Sequence, residues 1–178
     1  MQTQVHPLEP YFRQAIRNSY ENRLGFFDPE VTAYVARVLC EFTVPGNLFK
    51  LRDAAGRPIE DLDEMIDASD PVHGSASSFD AERQARKHIG NYALFIAGMY
   101  PEAVDAGRCA RHLHLGDLIQ AGKESFYIVS QFNLFEYEEE APLFSRLFEC
   151  FERCALGLTL ARDEMSEHLP PMPHSPRK

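Results

Sequence analysis

His88 is the residue in this chain best placed to do chemistry. With Asn91, Tyr92 and Phe95 it falls at spacings that line one side of a helix, and Gly90 among them leaves room for another backbone or a ligand to approach. A neutral imidazole there could ligate a metal or haem iron, act as a general base, or respond to pH, because its ordinary pKa is ~6.5. A base needs a partner that orients its second ring nitrogen, and the sequence names none. The reading it favours is a histidine at the edge of the core, hydrogen-bonded to Asn91 or to a tyrosine.

Three further clusters carry chemical potential. Arg108, Arg111, His112 and His114 precede a helix that opens near Leu115, and cations beside exposed helix-start amides could bind a phosphate or carboxylate, although offsetting the acidic surface is the preferred reading. Cys150 and Cys154 are four residues apart, so one helix face would carry both sulfurs, half of a soft-metal site if other ligands arrived. Packing as small apolar side chains is the preferred reading of that pair. The acidic run from Glu138 to Glu140 reads as a solvated helix start in place of a cation site. Paired Glu-x-x-His motifs, H-E-x-x-H, G-x-G-x-x-G, the P-loop and G-x-S-x-G are all missing. No catalytic residue, metal or cofactor is therefore assigned.

The element that would position His88 is the stretch from Ser78 to Tyr100. It starts with a charged outer face, on which Arg83, Arg86 and Lys87 read as a solvated flank paired with Asp80 and Glu82, and becomes apolar all round from Tyr92. Before it, Leu8 to Leu24 repeats apolar residues at helical steps as far as Gly25. Asp28-Pro29-Glu30 then opens a helix that Val44-Pro45-Gly46 stops. Residues 47–59 suit a small hairpin or a short helix equally, and Glu60 to Ala68 suits a surface helix. After Pro101, which ends or kinks the organising helix, a helix is expected from Leu115 to Phe132. From Pro142 a single long helix is expected as far as Met165, packed on the organising one.

Composition sets the class. The chain has 178 residues, 44% hydrophobic and 25% charged, enough for one folded domain without staples. Its formal charge of -9 opposes a general affinity for nucleic acid. The longest apolar run, Tyr92 to Tyr100, is short of the ~20 residues that cross a bilayer, and residues 1–7 lack the pattern of a signal peptide. Four cysteines show neither CxxC spacing nor the density of a secreted disulfide scaffold.

The run from Arg86 to Glu102, preceded by Leu51-Arg-Asp-Ala-Ala-Gly-Arg57, resembles a group of small bacterial helical proteins to which no activity is assigned. That resemblance implies a helical fold and brings no site residue with it. The sequence thus predicts an all-α, compact single-domain bundle of about six helices over residues 1–168, with two central Phe-rich helices and a mobile proline-rich tail over 169–178. It is expected to be cytoplasmic and homodimeric, with no nucleic-acid or membrane partner. A non-enzymatic interaction or regulatory role is preferred; a ligand, metal or haem pocket beside His88 and Tyr92 comes second, and an enzyme using His88 as base last.

Overall fold

The computed structural model describes residues 6–109 and 112–166. Among them are eight α-helices and no strand, an all-α bundle as expected. Helix α1 (Glu9–Asn18) runs into a π-helical turn, Ser19–Arg23, before Gly25 takes a φ of 59° and ends it. Helix α2 (Pro29–Phe42) starts as Asp28 accepts the Val31 amide at 3.0 Å, so the Asp-Pro start signal operates through its side chain. Residues 47–59 combine both alternatives: a 3₁₀ turn over Pro45–Phe49, then a tight turn closed by an antiparallel bridge between Arg52 and Pro58. Helix α3 (Leu62–Ser69) is capped by Asp61.

Helix α4 (Phe79–Met99) begins where Ser78 Oγ accepts the Ala81 amide, and it is the axis of the fold. Every residue from His88 to Met99 is buried. Pro101 ends it and starts the short α5 (Pro101–Asp105). Helix α6 (Leu115–Gln131) crosses α4 so closely that the Phe126 ring occupies the space a side chain on Gly90 would need.

The single long final helix is two helices, α7 (Ala141–Glu149) and α8 (Phe151–Met165). Cys150, with φ -107° and ψ 16°, closes the first and opens the second. The break is a consequence of packing. Phe144 on α7 packs against Phe126 of α6 and Tyr34 of α2, whereas Leu158 and Ala155 on α8 meet Gly98 of α4, and Gly157 meets Tyr20 of the π turn. One straight rod could not present its apolar arc to both sets. Fully buried phenylalanines come one each from α1, α2, α4, α6, α7 and α8, so every long helix contributes a ring to the common core. The proline-rich tail lies outside the described residues.

Candidate functional site

His88 joins two elements far apart in sequence. Its Nε2 lies 3.0 Å from the Leu48 carbonyl on the 3₁₀ turn after α2, and its ring meets Phe42 edge-on. Burial lowers its pKa below the ordinary histidine value, against the opposing pull of the Leu48 carbonyl and Glu41. A neutral ring that donates Nε2–H to Leu48 is the state this geometry holds. Asn91 accepts the Tyr34 hydroxyl at 2.7 Å, a buried bond between α2 and α4.

His88 and Asn91 also border an open depression of about 460 Å³ with Glu41, Lys50 and Lys87. Tyr92 and Phe95 do not line it. Tyr92 packs toward Phe49, and Phe95 is fully buried between Phe42 and Tyr100. The four residues therefore do not share a cavity. The room beside Gly90 is filled by Phe126.

Of the basic connector, Arg111 lies outside the described residues. Arg108, His112 and His114 are exposed; His112 takes a left-handed φ of 70°, and His114 stands at the start of α6 without capping it through its side chain. Among the described residues no group of three or more His, Cys, Asp or Glu side chains is placed to hold a metal ion. Cys150 and Cys154 do meet, sulfur to sulfur, at 3.4 Å.

The arrangement that the sequence did not predict is built on Arg83. Expected on a solvated flank, Arg83 is 2% exposed, because the segment after α6 folds back over it with Tyr137 and Glu140; Arg86 is 9% exposed. The Arg83 guanidinium lies 4.0 Å above the Tyr137 ring and donates to Glu140 at 2.7 Å; Lys87 reaches the same carboxylate at 3.3 Å. Its buried Nε has no hydrogen-bond partner among the described residues, so the aromatic face is what stands in for water there. Burial pushes the Glu140 carboxyl upward, but Arg83 and Lys87 outweigh it and hold it below the usual glutamate range.

This clamp pins a 3₁₀ turn, Phe135–Tyr137, to the start of α4, and the Tyr137 hydroxyl donates to Asp80. The turn carries a cost. Phe135 has φ 55°, a left-handed backbone that bulky side chains rarely adopt, and yet its ring is 86% exposed. Leu134 beside it and Phe79 next to Asp80 are exposed as well. Glu136, Glu138 and Glu139 surround the turn, exposed and without an ion pair among the described residues. A sequence signal existed: Leu134, Phe135 and Tyr137 are large apolar or aromatic residues in the short connection between the helix expected to reach Phe132 and the one expected from Pro142.

No protein-family model, curated protein or solved structure matches this chain.

Proposed function

We propose that this is a cytoplasmic, non-enzymatic interaction protein that uses the Phe135 turn to receive a basic, apolar segment of a partner protein. The observation that carries this reading is Phe135 itself, strained in backbone and exposed in side chain on a turn that buried Arg83 holds in place. Strain kept where the side chain gains no burial points to use outside the fold. Leu134 and Phe79 supply further apolar surface, and the three glutamates, without an ion pair among the described residues, favour lysine or arginine at the partner's rim. Two copies joined through the same turn would oppose acidic rims, so charge disfavours self-association there.

The test uses a fluorescent amphipathic peptide of Lys and Leu, with a Glu/Leu peptide of the same pattern as control. Binding of the basic peptide alone, weakened by salt and at least tenfold by Phe135→Ser, supports the assignment; tenfold is about 1.4 kcal/mol. Equal binding of both peptides, or affinity indifferent to Phe135→Ser, overturns it. A mass that doubles with concentration in wild type but not in Phe135→Ser would transfer the turn to a second copy of the chain.

A further inference from the structure

Away from the Phe135 turn, the junction of α7 and α8 brings two cysteine sulfurs together. Cys150 lies between two helices, and its backbone is outside the helical basin, so its side chain is not held in the row that a helix imposes. Its amide donates to Arg146 at 2.9 Å and its carbonyl accepts from Cys154 at 2.8 Å. The two sulfurs are 3.4 Å apart, against ~2.05 Å in a disulfide. Accessibility divides the pair. Cys150 borders a surface cleft of about 540 Å³ with Phe26, Asp28, Arg146, Glu149 and Arg153, whereas Cys154 is fully buried behind it. Tyr20, also fully buried, donates to the Cys154 carbonyl at 3.1 Å and holds the second cysteine in place.

The cleft carries charge that is partly in use. Arg146 pairs with Asp28 and Glu30. Arg153 lies 5.5 Å above the Phe26 ring and has no carboxylate partner among the described residues. It is the cation left for an incoming anion.

We propose that Cys150 and Cys154 form a thiol–disulfide exchange site for a small, carboxylate-bearing disulfide, with Cys150 as attacking thiolate, Cys154 as resolving thiol and Arg153 as the anchor for the carboxylate. The hydrogen bond from Cys154, aided by Arg153, lowers the Cys150 pKa against the effect of burial, and the bond to Cys150 together with burial raises that of Cys154. That order suits the roles, since the sulfur of the half-buried cysteine at the cleft ionises first.

In the first step Cys150 S⁻ attacks one sulfur of R–S–S–R, the S–S bond breaks and R–S⁻ leaves. In the second, Cys154 gives up its proton and attacks the Cys150 sulfur, and a second R–S⁻ departs. The protein loses two electrons and the substrate gains them. The Cys154 proton ends on one released thiol, and the charge Cys150 carried leaves on the other. A thiolate leaving group needs no acid. A hydroperoxide would release an alkoxide and need one.

The reduced full chain is incubated with oxidised glutathione, an anionic disulfide, and in parallel with cystamine, a cationic one. Peptide mass mapping then follows each cysteine. The expected products are a Cys150–Cys154 disulfide in wild type, a stable mixed disulfide at Cys150 in Cys154→Ser, and neither in Cys150→Ser. Arg153→Glu should slow oxidised glutathione roughly tenfold at low salt and leave cystamine no slower. Circular dichroism of each variant confirms that it folds, and Cys154→Ala replaces Cys154→Ser if the hydroxyl is not tolerated. Labelling of Cys109 or Cys40 ahead of Cys150 in wild type overturns the proposal. So does a Cys154 variant that folds but traps no mixed disulfide, or a rate that Arg153→Glu leaves unchanged with both reagents.

Discussion

Gly90→Ala tests whether α4 and α6 are in direct ring-to-backbone contact or leave room for a ligand. An alanine methyl would lie 2.4, 2.5 and 3.0 Å from three carbons of the Phe126 ring. Carbon atoms rest at about 3.5–4.0 Å, so the ring must retreat by about 1 Å. It has nowhere to go, being fully buried with its centroid 5.6 Å from that of Phe144 and 5.9 Å from that of Phe151. Overpacking of this kind costs ~3 kcal/mol at the upper end, while Ala in place of Gly returns ~1 kcal/mol of helix propensity. The net loss is about 2 kcal/mol, which lowers Tm by roughly 4–8 °C in a domain of this size. Urea denaturation followed by circular dichroism measures it. Adding Phe126→Leu should recover at least ~1 kcal/mol relative to the sum of the single changes. A Gly90→Ala protein as stable as wild type, or more stable through helix propensity alone, would refute the packing argument and reopen the space beside His88.

Three other outcomes follow from the geometry. Because His88 is held neutral below the pH at which the unfolded chain takes up a proton, its contribution to stability is complete above ~6.5 and drains as pH falls toward the depressed folded value. In His88→Gln, which keeps a donor for Leu48, the dependence of the urea midpoint on pH should be shallower in that window, and an unchanged slope would count against a buried neutral ring. Phe135→Gly should raise stability by about 0.5–1 kcal/mol through relief of the left-handed backbone while abolishing peptide binding; a loss of stability would show that the ring supports the fold. Asp28→Ala should cost about 1–2 kcal/mol in thermal denaturation because it removes the cap of α2, whereas Asp28→Asn, which keeps a capping oxygen and loses the Arg146 pair, should stay within about 1 kcal/mol of wild type.

The sequence by itself determined where most helices begin and end. Asp28 and Ser78 cap because a short polar side chain reaches an amide two or three residues on; Gly25 stops a helix because it tolerates a positive φ; Pro101 stops one because its ring excludes the preceding turn. These are local effects, and local spacing reports them. The apolar character of α4 after His88 was equally legible as burial. Other features depend on which faces meet. Arg83 looked solvated because its partners, Tyr137 and Glu140, are more than fifty residues away, and only the fold brings them over it. The apolar arc of α7 and α8 is continuous in sequence, and it breaks at Cys150 because two different sets of neighbours must be satisfied. That same break sets a half-buried cysteine at a cleft against a fully buried one. Spacing alone could put Cys150 and Cys154 on one face, but which of them solvent reaches was decided by tertiary packing, since burial belongs to pairs of surfaces and not to a stretch of chain.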